Sequence, residues 1–396
     1  MTLTGKNKFG GDAVIDFNGN NVLHCGMSGC GKTTQIAKQM SQTMKDEQSI
    51  HIIFDVKGDF LKYYREGDIV LSLHDINGVP SLAQPRLNIM REIISSKYPE
   101  TTANEIAVSV FSDAIAQSHS PFFPQSACRI FSSILIMISR EYRDKPPFTS
   151  QVITNSLNFD SKTLIEKLKK YPDLASVSHL IEGAAQTTGG IRAEYTNTLL
   201  KVFQGNFLSE GTFSARDFMH KGKGKKLFIE YRFDEQESSR HVIKLILDIC
   251  MKELLGGTCD IAKTYFYLDE FPLLPALSYI DSLLNFGRSY GAQTIAGIQS
   301  VSQLYSSFGH EAAVKVLTGF KDIFVFATND PESSAYFSNR GGTRVVPHTA
   351  VGIDRRATTT SMQLPYISDS ELMYQKIGEA YYLPPTAMPF KIKFDE

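Results

Sequence analysis

Short apolar runs alternate with amphipathic stretches along much of the 396-residue chain. Seven of these runs are candidate strands, and most of them are nearly continuous apolar runs, which is typical of strands buried on both faces of a parallel sheet. They span residues 21–25, 50–55, 68–72, 226–231, 264–269, 293–298 and 321–328. Because helical stretches separate the runs, the pattern predicts an α/β fold with a doubly wound, mostly parallel sheet.

Residues 92–195 depart from this alternation. Helical periodicity continues through them without a convincing strand, and prolines and a Gly189-Gly190 pair separate the helical stretches. We therefore predict an inserted all-α domain at 92–195. The α/β domain is then built from residues 1–91 and residues 196–396, which fits the length expected for one large domain with a smaller insertion.

The composition argues against some classes of function. A formal net charge of −1 argues against a small DNA-reading module, which usually carries a strong basic field. It leaves open a ring that confines its basic groups to a pore, because only the local charge matters there. The five cysteines form no C-x-x-C pair and the nine histidines no metal-binding cluster, so a reducing compartment is favoured and a structural zinc site is not.

The ends and apolar runs of the chain bear on its location. Residues 1–9 are polar and do not resemble a signal peptide. The longest apolar run, at 134–138, is much shorter than a membrane span. The sequence therefore predicts a cytoplasmic protein.

The strongest chemical signal is the segment 26–33, G-M-S-G-C-G-K-T, a complete G-x-x-x-x-G-K-[S/T] phosphate loop (Walker A) between a predicted strand and a predicted helix. Its glycines let successive backbone N–H groups point at phosphate oxygens. Lys32 is expected to reach the β- and γ-phosphates and the Thr33 hydroxyl to bind Mg²⁺, so ATP and Mg²⁺ are the predicted cofactors. The residues predicted to contact the nucleotide are Gly26, Ser28, Gly29, Cys30, Gly31, Lys32, Thr33 and Thr34.

A second signal is the apolar run 264–268, which ends in the adjacent carboxylates Asp269 and Glu270. Asp269 suits the outer shell of Mg²⁺, and Glu270 can polarise a water molecule for attack on the γ-phosphate. Alone, such a pair is equally often a solvated strand end. Together with an intact phosphate loop it indicates a Walker B motif and ATP hydrolysis.

Three further residues have two interpretations each. Gln299 ends a buried run, so its amide either senses the γ-phosphate or bonds to backbone, and Arg288 taken alone is a surface arginine. Cys30 lies next to a helix N-terminus, a setting that lowers the pKa of a thiol. Alkylation of Cys30 is therefore expected to block nucleotide binding, unless the residue only fills the loop.

Several motifs together resemble the conjugative coupling proteins, the DNA-pumping ATPases of type IV secretion systems. The phosphate loop is followed, in the order and spacing of that family, by D-V-K-G-D at 55–59, F-S-A-R-D at 213–217, D-E-F-P-L at 269–273, G-R at 287–288, Q-S-V-S-Q-L at 299–304 and Q-L-P-Y-I-S-D-S-E-L at 363–372. The resemblance covers nearly the whole chain. The helical insert lies where the family has its all-α domain.

The resemblance implies a RecA-like P-loop domain in a homo-hexameric ring, with ATP sites between subunits. Arg288 would act in trans as an arginine finger, and Gln299 would sense the γ-phosphate. The implied partners are single- or double-stranded DNA, the relaxase or relaxosome, and type IV secretion components. Members of the family usually begin with transmembrane helices, which this chain lacks, so contact with the cytoplasmic face of the inner membrane would need a missing anchor or a partner.

Three functions follow from these motifs. The first is an ATP-hydrolysing ring that translocates DNA, with or without attached relaxase, towards a type IV secretion channel during conjugation. The second is a related motor for protein effectors or a viral genome, which the ATPase motifs do not distinguish from the first. The third is a docking platform that uses nucleotide as a switch, against which the intact Lys32, Thr33, Asp269 and Glu270 argue.

Overall fold

The chain folds into two compact units in the computed structural model. The structure describes residues 1–7, 10–232, 234, 236–351 and 357–395. The first unit consists of Met1–His51, Lys263–Ala276 and Ile280–Glu396, and the second of Ile52–Ala262 and Leu277–Tyr279. The strands are β1 (Thr2–Asn7), β2 (Asp12–Asp16), β3 (Val22–Cys25), β4 (Ser49–Asp55), β5 (Ile69–Leu71), β6 (Lys226–Glu230), β7 (Lys263–Leu268), β8 (Ala292–Ile298), β9 (Asp322–Val325), β10 (Thr343–Val351), β11 (Ala357–Pro365), β12 (Glu379–Leu383) and β13 (Phe390–Phe394).

Sixteen α-helices connect these strands within the described residues. They are α1 (Lys32–Thr43), α2 (Ile89–Ile94), α3 (Pro99–Gln117), α4 (Phe122–Glu141), α5 (Thr149–Asn158), α6 (Ser161–Leu168), α7 (Ser178–Glu182), α8 (Ala185–Val202), α9 (Gly205–Leu208), α10 (Ala215–Lys221), α11 (Gln236–Leu255), α12 (Ile280–Phe286), α13 (Val301–Phe308), α14 (His310–Thr318), α15 (Pro331–Gly341) and α16 (Asp369–Met373).

The first unit contains a sheet in the order β2-β1-β13-β12-β9-β3-β8-β7. The four strands from β9 to β7 are parallel, and β3 and β8 are buried at every position. Their largely apolar sequences follow from this position, since helices cover both faces of a doubly wound sheet. The α/β fold class predicted from the sequence is thus confirmed.

Four strands of this sheet were not predicted from the sequence. β12 pairs antiparallel with β9, and β13, β1 and β2 extend the sheet through further antiparallel pairs. In β2 and β13 buried and accessible positions alternate or mix, so these strands lack the continuous apolar run by which the others were recognised. The hairpin of β10 and β11 forms a separate two-stranded sheet.

The second unit is mainly helical, although it also contains the parallel pair β5 and β6. Within residues 92–195, all of which the structure describes, every regular element is a helix. Rings from α3, α4 and α8 meet in its core: Phe111, Phe131 and Tyr195 have centroids 6.0 to 6.4 Å apart. The domain boundaries at 91 and 195 stay a prediction.

Helix α4 is longer than its central apolar run suggested. By length and composition its 20 residues could cross a membrane, and it is the one such helix among the described residues. However, 78% of its most apolar window is buried inside the protein. This burial is that of a core helix, and the apolar sequence of α4 follows from its packing against α3 and α8.

Candidate active site

The phosphate loop connects β3 to α1, and its backbone requires glycine at two positions. A Cβ on Gly26 would lie 2.7 Å from the Phe326 Cβ and 3.0 Å from the Cys30 Sγ, which is too close for any side chain. Gly31 is the N-cap of α1 with φ 109° and provides no capping side chain. The N–H groups at the start of α1 therefore keep their capacity to bind an anion, which the helix dipole favours.

Lys32, the first residue of α1, folds back over this loop. Its ammonium donates hydrogen bonds to the carbonyl oxygens of Gly26 (2.6 Å) and Met27 (3.0 Å). The side chain is buried, with 5% of its surface exposed. A buried ammonium that donates to backbone carbonyls carries a positive charge that a phosphate group can use.

The Thr33 hydroxyl lies beside the first residue after β7. Its Oγ1 donates to Asp269 Oδ2 at 3.1 Å. The two side chains meet because β3 and β7 flank β8 in the parallel sheet and both end at the same edge. A hydroxyl and a carboxylate provide the hard oxygen ligands that Mg²⁺ prefers, so these residues fit the predicted metal.

Glu270 adopts an unusual backbone conformation. Its φ of 57° and ψ of 48° lie in the left-handed region, which costs a side-chain-bearing residue about 1–3 kcal/mol. Gln299 Nε2 donates to Glu270 Oε1 at 2.8 Å. The other oxygen, Oε2, is buried and has no hydrogen-bond partner among the residues that the structure describes. One oxygen thus fixes the carboxylate, and the second can accept a proton from water.

Gly297 also shapes this site, although the sequence analysis did not single it out. A Cβ at this position on β8 would lie 2.9 Å from Asp269 Oδ1 and 3.6 Å from the Glu270 backbone nitrogen. The glycine therefore makes the room in which the two carboxylates follow β7. A glycine inside the apolar run 292–298 was the available signal, because such a residue often marks close approach of another chain segment.

Arg288 lies apart from the other predicted catalytic residues. It is exposed, and its Nη1 donates to Asn20 Oδ1 at 3.3 Å, next to the start of β3. Arg288 precedes β8 and Gln299 follows it, so the seven-residue strand separates them by about 20 Å. Within one chain the structure brings Lys32, Thr33, Asp269, Glu270 and Gln299 together and leaves Arg288 out. Its role in trans stays a prediction.

The expectation of a low pKa for the Cys30 thiol was wrong. The side chain is only 2% exposed, and burial raises the pKa although the Lys32 ammonium opposes that effect. The loop places the sulfur beneath Gly26, whereas Ser28, Gly29 and Thr34 face solvent. Cys30 therefore contributes its backbone to the loop, and the thiol is poorly suited to alkylation.

The family described as the type IV secretion-system coupling protein DNA-binding domain matches residues 14–363. The coupling protein TraD of Escherichia coli (strain K12) is 25% identical over 305 residues, which cover 75% of this chain and 40% of TraD. The chain thus spans about two fifths of this curated relative.

Two solved structures share the fold. The bacterial conjugative coupling protein TrwBdeltaN70 in its unbound monoclinic form has a TM-score of 0.73 at 17% identity, covering 95% of this chain and 84% of the other. The plasmid coupling protein TrwB in complex with ADP and Mg²⁺ has a TM-score of 0.72 at 18% identity, with coverage of 95% and 84%. These similarities show a common architecture for nearly the whole chain.

Proposed function

The chain belongs to the family of type IV secretion-system coupling proteins, and on that premise we propose that it hydrolyses ATP to translocate DNA towards a secretion channel during conjugation. One structural observation supports the proposed ATP hydrolysis. Lys32, the Thr33–Asp269 pair and the unpaired Oε2 of Glu270 lie at one edge of the parallel sheet. This set combines a phosphate-binding cation, a magnesium site and a general base.

Each residue has a distinct task in the proposed reaction. The N–H groups at the start of α1 and the Lys32 ammonium bind the phosphate oxygens. Thr33 and Asp269 would hold Mg²⁺, which when bound would neutralise charge on the phosphates. Glu270 orients a water molecule through Oε2 and takes its proton as the water oxygen bonds to the γ-phosphorus. The bond from the γ-phosphorus to the bridging oxygen breaks in the same step, so that ADP leaves and inorganic phosphate is formed. Gln299 positions Glu270 by its hydrogen bond to Oε1.

DNA is the proposed cargo because the matching family is described by a DNA-binding domain. The partners we propose are the relaxase or relaxosome and the secretion components, and the proposed assembly is a homo-hexameric ring at the cytoplasmic face of the inner membrane. Arg288 fits a ring because it lies about 20 Å from Gln299 along β8 and so needs a neighbouring subunit to reach a γ-phosphate.

The test is steady-state ATP hydrolysis with and without single- and double-stranded DNA across a salt series. We expect stimulation by DNA that falls steeply with salt, because each phosphate contact releases counterions. The Glu270→Gln variant is the matched control and should show no stimulated hydrolysis. Hydrolysis that DNA does not stimulate at low salt would contradict the proposal of a DNA motor and favour protein cargo. Absence of hydrolysis at any protein concentration would favour a nucleotide-switched platform.

A mixing experiment tests the role of Arg288. Arg288→Ala and Glu270→Gln subunits should each be inactive alone. In a mixed ring, some sites combine an intact Glu270 from one subunit with an intact Arg288 from its neighbour, so activity should return on mixing. Failure of the mixture to exceed either variant alone would contradict a finger that acts in trans.

A further inference from the structure

A tight turn of the C-terminal segment lies against the phosphate loop. The N–H of Gly378 donates to the carbonyl oxygen of Cys30 at 3.3 Å. A Cβ on Gly31 would lie 3.9 Å from the Gly378 Cα, within ordinary van der Waals contact. The turn closes through a hydrogen bond from the Glu379 N–H to the Lys376 carbonyl, 3.0 Å long. The phosphate loop and residues 376–379 therefore form one continuous surface.

Hydrogen bonds hold this turn on both sides. The Gly378 carbonyl accepts from the Phe394 N–H at 2.9 Å. Gln375, with 8% of its surface exposed, donates through Nε2 to the Val325 carbonyl on β9 at 3.0 Å. Glu379 forms an ion pair with Lys391, with Nζ and Oε2 2.7 Å apart. The segment thus has a fixed position relative to the loop, and its exposed side chains are presented from a rigid base.

Two large side chains on this segment face solvent. Tyr374 is 85% exposed and Ile377, next to Gly378, is 79% exposed. Three residues of chain separate them by at most about 10 Å. Phe326 and Ala327 also contact the loop, but they are buried and offer no surface to a ligand. The segment that contacts Cys30 and Gly31 through Gly378 therefore carries an accessible apolar surface that includes Tyr374 and Ile377.

We propose that Tyr374 and Ile377 bind the base of the nucleotide whose phosphates the loop holds. The inference rests on the proposed ATP site, because the loop fixes the triphosphate and the nucleoside must extend beyond it. An aromatic ring and an aliphatic side chain contact the face of a base, where every base presents a π surface. This surface distinguishes bases by stacking area, so it should accept adenine and guanine alike and bind pyrimidines less tightly.

The proposal separates binding of the base from binding of the phosphates. Titrations of ATP, GTP, CTP and inorganic tripolyphosphate, each with Mg²⁺, on the wild type and on Tyr374→Ala measure the two. We expect the variant to bind ATP and GTP about tenfold more weakly and tripolyphosphate unchanged. Tyr374→Phe should bind like the wild type, and Ile377→Ser should repeat the pattern of Tyr374→Ala with a smaller loss. Tyr142→Ala, which removes an exposed tyrosine from the second unit, is the matched control and should change nothing.

The outcomes separate this inference from the proposed function. Unchanged ATP affinity in Tyr374→Ala and Ile377→Ser would overturn the base site and leave the ATPase standing. Equal losses for ATP and tripolyphosphate would also overturn it, because the turn would then only support the loop. A wild type that binds neither ATP nor tripolyphosphate would refute the proposed function and the base site together.

Discussion

Three buried ion pairs of the second unit contrast with the charged groups at the phosphate loop and Glu270 in the first unit. In the second unit, three buried cations each meet a buried carboxylate; the pairs are Arg216–Glu253, Lys226–Asp68 and Lys244–Asp248. In the first unit, the Lys32 ammonium donates to the carbonyls of Gly26 and Met27, and Glu270 has one carboxylate oxygen without a partner among the described residues.

The difference separates charges that serve the fold from charges that serve chemistry. A buried charge without a full set of partners costs free energy, so a folded protein rarely keeps one that a neighbour could neutralise. In the three ion pairs of the second unit this cost is offset by pairing. At the edge of the sheet in the first unit the charges keep binding capacity, which is expected of groups that act on a ligand.

The largest effect should come from breaking a pair in the second unit. Asp68 accepts from the Lys226 backbone N–H at 2.9 Å and from its ammonium at 2.6 Å. Asp68→Ala would leave that ammonium buried and unpaired, so we expect the free energy of unfolding to fall by about 3–5 kcal/mol. Urea denaturation measures the loss. Asp234→Ala, which breaks an exposed pair with Arg232, is the control and should leave the midpoint unchanged. Equal losses of unfolding free energy in both variants would show that the buried pair contributes no more to stability than the exposed pair.

The corresponding change in the first unit should affect binding and spare stability. Lys32→Met replaces the ammonium by an apolar group of similar length. We expect ATP to bind about a hundredfold more weakly, because two charge-assisted phosphate contacts are lost. The free energy of unfolding should fall much less than in Asp68→Ala, since only hydrogen bonds to two carbonyls are lost and no carboxylate is left unpaired. Fluorescence titration and urea denaturation report the two quantities. A Lys32→Met protein that unfolds as easily as Asp68→Ala would show that Lys32 serves the fold.

The pH dependence of stability tests another incompletely paired group of the first unit. His24 on β3 is buried, and burial lowers its pKa from 6.5 to about 4 although its hydrogen bond to Gln39 opposes the shift. The unfolded chain therefore takes up the proton first as the pH falls from 6.5 to 4, and the protein should lose about 3 kcal/mol of stability across that window. Above pH 6.5 this contribution is constant.

A His24→Phe variant isolates the effect. Its ring can keep the stacking against Phe324, whose centroid lies 5.1 Å from that of His24, and it has no proton to gain. The slope of unfolding free energy against pH between 6.5 and 4 should therefore be shallower in the variant. Identical slopes would mean that folding does not lower the pKa of His24.

The smallest effect should come from Gln299. Gln299→Ala removes the hydrogen bond to Glu270 Oε1, so the Glu270 carboxylate is no longer held in position by this bond. We expect kcat to fall about tenfold to a hundredfold and KM to stay constant, since nucleotide binding does not use this bond. A shift in the pH profile of kcat should accompany the fall. Unchanged kcat would reduce Gln299 to a strand-end amide.

The parts of the fold that were predicted are those whose burial is continuous. β3 and β8 are buried at every position because both faces are covered, and their predicted positions matched within one residue. β2 and β13 are only partly buried, so their mixed sequences do not stand out from loops. The antiparallel half of the first unit's sheet therefore needed the structure, since its pairing depends on contacts between distant parts of the chain.

The site shows the same division. The phosphate loop and the Asp269–Glu270 pair are local motifs whose chemistry can be read from adjacent residues. The bond from Gln299 to Glu270, the room provided by Gly297 and the burial of Cys30 depend on neighbours far away in sequence. The Cys30 prediction failed for this reason: a helix N-terminus lowers the pKa of a thiol, but desolvation beneath Gly26 outweighs it.

The central claim is that the unpaired oxygen of Glu270 activates water. Single-turnover release of phosphate from a preformed complex with ATP and Mg²⁺ tests it most directly, in the wild type and in Glu270→Gln. We expect the variant to bind ATP with nearly unchanged affinity and to release phosphate about 10²–10⁴-fold more slowly. Release at the wild-type rate by a fully loaded Glu270→Gln protein would contradict the claim and place the base elsewhere.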